Sequence, residues 1–188
     1  MFAYCANNPA NAIDPLGEYA IWLQELNNRA SLIAGHTALL IQDADGNWHY
    51  FNWNNTSCTL SHQGTINYNG MSSLPPFIRE KYDSAIYFEG DFSASVDYVR
   101  TLKKKYSPDD YDVFWNNCMQ VSVDVLMRGK FAKSDWCYES FLYRVRNTII
   151  PNIAYSRMVN FHSAVQTYHA APKWAKWLYT SPERAVQI

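Results

Sequence analysis

Cys118 follows Asn117 and precedes Met119-Gln120-Val121-Ser122-Val123-Asp124-Val125-Leu126, a run whose Val121, Val125 and Leu126 recur at helical spacing before Gly129. Asn117 is of the type that caps helices, so the spacing predicts a helix from Cys118 to about Met127 with the thiol in its first turn. A thiol at that position faces the positive end of the helix dipole and free backbone N–H groups, a setting that lowers its pKa. The same amides can donate to an oxyanion when the sulfur attacks a carbonyl, so the position suits covalent acyl chemistry. Such chemistry needs a base. His36 directly follows Gly35 and heads an apolar run through Leu39, Leu40 and Ile41. Alone it reads as a core histidine bonded to a carbonyl; beside Cys118 it is the leading base.

A third group must hold the imidazole in one tautomer. His36 to Gln42, the turn formers Asp43-Ala44-Asp45-Gly46, and Asn47 to Trp53 read as a β-hairpin of β-branched and aromatic residues around an Asp-Gly. A four-residue loop pairs Gln42 with Asn47 and sets His49 on the face of His36, but about 13 Å further along the strand. Contact then needs a bulge or a strong twist. A three-residue loop instead places Asn54 opposite His36 and Asn52 on the same face, and an amide can orient an imidazole as in cysteine-histidine-asparagine sites. His49 is the preferred third residue, with Asn52 and Asn54 open.

The elements that must carry these residues are legible to different degrees. Tyr19, Trp22, Leu23 and Leu26 fit a short amphipathic helix over residues 18–30. Asn54 to Pro76 is polar and glycine-containing, suggesting a long loop or irregular strands, and Ser84 to Glu89 looks like another strand. Asp91 to Tyr106 reads as a helix with Phe92, Val96, Val99 and Leu102 on one face, Asp91 as its cap and Lys103-Lys104-Lys105 in its last turns. Tyr111 to Trp115 is a short apolar strand or turn. Helices are expected over Ser134 to Asn147 and Ile153 to Leu178, separated by Pro151 and interrupted by Pro172.

With 188 residues, 48% apolar and 18% charged, the chain has the composition of one globular domain with a tail. Seven Trp and fourteen Tyr imply that much buried area comes from rings with a polar handle. A net charge of -1 and a single short basic run argue against a nucleic-acid partner. Cys5, Cys58, Cys118 and Cys137 lack C-x-x-C spacing, so separate thiols are expected, with Cys58 and Cys137 inert. His62, His162 and His169 read as loop or packing residues and Asp109-Asp110 as a solvated turn. No metal site or cofactor is expected. Met1 to Ile13 does not read as a signal peptide, and no run approaches the length of a spanning helix.

The ordered set Gly35-His36-Thr37-Ala38, Gly46, His49, then Asn117-Cys118-x-x-Val121 with Leu126 and Gly129 resembles the permuted NlpC-type papain-like superfamily, the branch containing lecithin retinol acyltransferase and the phospholipase A/acyltransferases. That resemblance implies an α+β fold in which a small antiparallel sheet packs on the helix bearing the cysteine, here with extra C-terminal helices. It implies Cys118 as nucleophile, His36 as base and His49 as third residue. The chain departs from the animal acyltransferases at Met119 and Gln120, where that pattern has an acidic residue and a histidine.

Tyr4-Cys5-Ala6-Asn7-Asn8-Pro9-Ala10-Asn11-Ala12-Ile13-Asp14-Pro15-Leu16-Gly17 resembles the end of the Rhs repeat-associated core, whose Y-x-x-N-N-P-x-N-x-x-D-P-x-G run closes a shell before a variable toxin. It implies that residues 1–17 end a carrier and 18–188 form a toxin domain. It further implies delivery into a target bacterium by a type VI secretion apparatus, to the periplasm or inner membrane, with the Rhs shell and a cognate immunity protein as partners. Two substrates suit the expected site. Aromatic residues beside Lys173 and Lys176 in the C-terminal region suit a membrane surface and a phospholipid acyl ester, although core packing explains the same rings. The alternatives are a peptidoglycan amide cut by the same pair, and a noncatalytic binding module.

Overall fold

The computed structural model describes residues 19–26, 35–132 and 138–170. Among them the chain runs β1 (Tyr19–Glu25), β2 (His36–Gln42), β3 (Trp48–Trp53), β4 (Cys58–Gly64), α1 (Pro76–Lys81), β5 (Ser84–Asp91), α2 (Ser93–Lys105), α3 (Cys118–Leu126), β6 (Lys130–Phe131), α4 (Tyr138–Arg146) and α5 (Pro151–Ala170). The six strands form one antiparallel sheet in the order β4-β3-β2-β1-β5-β6. The class is α+β, as expected. The stretch assigned to the Rhs core, the C-terminal Lys173, Trp174, Lys176 and Trp177, and Cys137 all lie outside the described residues.

Period-2 alternation sends side chains to two cores, because successive strand residues face opposite sides. Trp22, Leu39, Ile41, Phe51 and Trp53 join Val96, Met119, Val123, Leu142 and Phe161 on the face covered by α2 to α5. Ile21, Leu23, Ala38, Leu40, Trp48 and Tyr50 meet Leu74, Ile78 and Tyr82 on the other. The inner strands are therefore buried on both sides, which is why they read as nearly continuous apolar runs.

That double burial explains one correction. Residues 19–25 form the central strand β1, flanked by β2 and β5, rather than the expected amphipathic helix. Tyr19, Trp22 and Leu23 fit a helical stripe, but Ala20 and Ile21 are equally buried, and a run apolar on every side has no periodicity of its own. The polar stretch after Trp53 is more ordered than a loop: it supplies edge strand β4 and then α1, with Pro76 as the first helical residue, where a missing N–H costs nothing. Likewise Pro151 begins α5 instead of merely separating two helices.

Candidate functional site

The N-terminus of α3 is built as its sequence demands. Asn117 is extended (φ -84°, ψ 176°), and its Oδ1 accepts the Met119 and Gln120 N–H groups at 3.0 and 3.1 Å. Gln120 Oε1 accepts the Asn117 N–H in return, completing a capping box. The Asn117 Nδ2 group is also committed, donating to Val113 O and Ile149 O. Gln120 Nε2 donates to Phe114 O, so one cap ties the helix start to the 113–115 turn and to the α4–α5 connection. Cys118 is then the first helical residue, only 2% exposed.

The thiol meets the sheet at the start of β2. The β2–β3 ladder stops at Ala38–Asn52, and the Thr37 N–H beyond that pair is directed to Cys118 Sγ. The Met119 and Cys118 amides and the Tyr111 hydroxyl also face the sulfur. His36 is the strand residue next to Thr37, 9% exposed. Its Nε2–H donates to Asn52 Oδ1 at 2.6 Å, which leaves Nδ1 without a proton. The Tyr82 ring stacks beside the imidazole at 6.4 Å between centroids, and Tyr82 lies within the field of the Cys118 sulfur. Where β2 parts from β3, the sulfur thus receives the Thr37 N–H and the imidazole of the adjacent residue is held by Asn52.

Hairpin register decides which residue meets the imidazole. The Asp43 N–H donates to Asn47 O at 2.9 Å, leaving a three-residue loop of Ala44, Asp45 and Gly46, with Gly46 at φ 79°. Positive φ at the last loop position favours glycine and gives this loop type its register. Ala38 is therefore opposite Asn52, and Asn52 shares the face of His36. The expected contact of His49 with His36 is corrected: His49 sits opposite Ile41, on the other face of the sheet, and its Nε2 pairs with Asp43 Oδ2 at 2.7 Å. Burial works against the Asp43 charge, yet the bonds from His49 and from two backbone N–H groups hold its carboxyl below the ordinary value.

Gly35, just before His36, has φ 69°, and a Cβ there would collide with Asn152 Oδ1 and Glu25 O. Beneath it Gln24, fully buried, accepts from Thr37 Oγ1 at 2.8 Å and from Trp22 Nε1 at 3.2 Å, and donates to Asn152 Oδ1 at 3.0 Å. This polar network pins β1, β2 and α5 together under the site. Each of these bonds satisfies a group whose burial unpaired would cost about 1–3 kcal/mol.

Burial dominates the electrostatics. It lowers the His36 pKa to about 4, with the Asn52 bond opposing the shift and Lys81 adding to it. It raises the Cys118 thiol to about 11, although the Thr37, Met119 and Cys118 amides and the Tyr111 hydroxyl all favour the thiolate. The expected lowering at the helix mouth is thus outweighed by desolvation. Both groups are thus held uncharged at neutral pH, the sulfur as a thiol and the imidazole neutral. Cys58, buried on β4, is also raised to about 11 by burial, with the Lys103 charge opposing the shift.

No family model, curated protein or solved structure matches this chain. The residues themselves carry the argument. Sequence reasoning singled out Cys118, His36 and Asn117, and left Asn52 open beside His49 and Asn54. Tyr82 and Tyr111 went unnoticed because nothing in their local spacing marks them; only the fold brings them to the sulfur. Tyr111, half-buried, accepts the Cys118 N–H and donates to Sγ, and burial raises its own pKa to about 12. Among the described residues no group of three His, Cys, Asp or Glu is arranged to hold a metal.

Proposed function

We propose that this chain is a cysteine-dependent acyl hydrolase or acyltransferase of the permuted papain-like type, acting as an antibacterial effector on phospholipid acyl esters. The observation that carries it is a capped, helix-first thiol that receives the Thr37 N–H, one residue along the strand from an imidazole whose Nε2 an amide holds. In this reading His36 Nδ1 takes the Cys118 proton as Sγ attacks the ester carbonyl. The C–O bond breaks, the lysolipid oxygen leaves with that proton, and an acyl thioester remains on Cys118. Water, deprotonated by the same Nδ1, then cleaves the thioester and restores the thiol; a second alcohol in place of water gives transfer. The Thr37 N–H and the Tyr111 hydroxyl, both directed at Sγ, are the donors offered to the oxyanion, since the first α3 amides are taken by Asn117 and Tyr111. Asn52 positions the base.

A lipid substrate is favoured by what surrounds the site. Val113 and Phe114 are 58% exposed and Trp115 74%, on the turn closed by the Asp112–Asn116 bridge, and the chain enters α3 directly after it. The Asn117 side chain bonds Val113 O and Ile149 O, so exposed Ile149 lies beside that turn, followed by exposed Ile150 and Ile153. Tryptophan and aliphatic tips around a thiol suit insertion among lipid headgroups. The Rhs-like lead-in supports the effector context, with the Rhs shell and a cognate immunity protein as proposed partners and delivery to a target bacterium.

The test is expression of the wild type and of Cys118→Ala in bacteria, with periplasmic and cytoplasmic targeting, followed by parallel analysis of lipids and muropeptides. The expected result is lysophospholipid and free fatty acid with the wild type only. Cut stem peptides without lysolipid would reassign the substrate to peptidoglycan. Undiminished toxicity of Cys118→Ala would remove the catalytic reading in favour of a binding module.

A further inference from the structure

Strand β4 closes the sheet on one side, and among the described residues none pairs with its outer edge. Its hydrogen-bond phase follows from the preceding turn. The Asn54 N–H donates to Ser57 O at 3.0 Å, so these two form a bonded pair, and bonded and non-bonded pairs alternate from there. Cys58, Leu60 and His62, opposite Trp53, Phe51 and His49, therefore turn their N–H and C=O groups away from β3. Sheet edges are ordinarily blunted by charge, proline, brevity or a bulge, and the β3–β4 register shifts only past His62, between Trp48 and His49. The opposite edge, β6, is two residues long, whereas β4 has seven and contains no Lys, Arg, Asp, Glu or Pro.

The flank of this edge is basic. Leu60 floors an open depression of about 460 Å³ walled by Arg100, Lys103 and Lys104 from the last turns of α2. Lys103 Nζ donates to the outward-facing Leu60 O at 3.4 Å, and its charge reaches Cys58. Arg100 is shared with exposed Asp97 at 2.7 Å, while Lys103 and Lys104 stand exposed. A row of outward backbone donors and acceptors, of which only Leu60 O is shown with a side-chain partner, thus runs beside a cationic wall with an apolar floor.

We propose that the β4 edge receives an extended acidic segment of another protein as an added strand. Its backbone bonds to Cys58, Leu60 and His62, and its carboxylates face Arg100, Lys103 and Lys104. A second copy of this chain fits less well, because antiparallel β4–β4 pairing about a two-fold axis sets both lysine runs on the same side, facing each other. A bilayer offers no ordered backbone to match the row. The surface lies apart from Cys118 and does not depend on its chemistry.

The test is fluorescence anisotropy of the full chain with a labelled ten-residue peptide of alternating Glu and Val, and with its Lys-Val counterpart. The acidic peptide is expected to bind and the basic one not, with Lys103→Glu/Lys104→Glu weakening binding by at least about tenfold. His62→Pro removes an outward N–H without touching the ladder to β3 and is expected to weaken binding comparably. An acidic peptide N-methylated on alternate residues tests the same bonds with the protein unaltered, and is expected to lose binding. Equal binding of the basic peptide, undiminished binding of the N-methylated one, or a stable β4-mediated dimer of the free chain would overturn the proposal.

Discussion

At the scale of single residues, burial sets the two protonation states on which the proposed chemistry depends. His36 is held neutral, its pKa depressed to about 4, so its contribution to stability is present above the unfolded value of 6.5 and is lost as pH falls through 4. The shift corresponds to about 3 kcal/mol, and urea unfolding between pH 7 and pH 4 should show a loss of that order which His36→Asn diminishes. The thiol moves the other way. Raised to about 11 and nearly sealed, Cys118 should react slowly with iodoacetamide at pH 7, faster as pH approaches 11, and at an intermediate pH faster once lipid vesicles are added. Mass spectrometry of the labelled peptide separates it from Cys58. Asn52→Ala should lower kcat by about tenfold to a hundredfold by freeing the imidazole tautomer, whereas His49→Ala should leave kcat within about twofold and act only on stability. If the two effects are reversed, the assignment of the positioning residue fails.

At the scale of elements, the cap of α3 and the loop of the hairpin do the positioning. Asn117→Ala removes the acceptor for two helix amides and both bonds to neighbouring loops, so thermal unfolding should report a loss of about 1–2 kcal/mol. Asn117→Asp keeps the acceptor and loses the two donors; retained stability with reduced turnover would show that the tie to Val113 and Ile149, rather than the cap, serves the site. The hairpin illustrates how little local sequence fixes at a distance. Its strands were readable from β-branched and aromatic content and its turn from Asp-Gly, but one residue of loop length decided between His49 and Asn52. Gly46, at φ 79°, tips that choice toward the three-residue loop. For β1 the failure has a different origin: a central strand buried on both faces loses the alternation that identifies strands.

At the scale of the whole molecule, helices cover one face of the sheet, while α1 and its approach cover the other, and the thiol sits at the margin between the two cores. The margin carries Val113, Phe114 and Trp115, whose exposure has no packing explanation within the described fold. Trp115→Ala should weaken binding to phosphatidylethanolamine vesicles by about tenfold, the scale of one large side chain withdrawn from an apolar phase, and leave the unfolding midpoint nearly unchanged because the ring buries little in the folded chain. Vesicle co-sedimentation beside thermal unfolding checks both. Equal vesicle binding by the variant would leave the lipid reading without its structural support.

Sequence by itself determined the candidate groups and their local mounts: a cysteine behind a capping asparagine, a histidine behind a glycine, two strands around an Asp-Gly turn, and helices over α2 and α3. Those features depend on neighbours within a few residues, where propensity and capping act. Tertiary structure alone decided that Asn52 holds the imidazole, that Tyr82 and Tyr111 attend the sulfur, and that the thiol rests protonated. Each of these depends on register or on summed desolvation by distant segments, which no local spacing encodes.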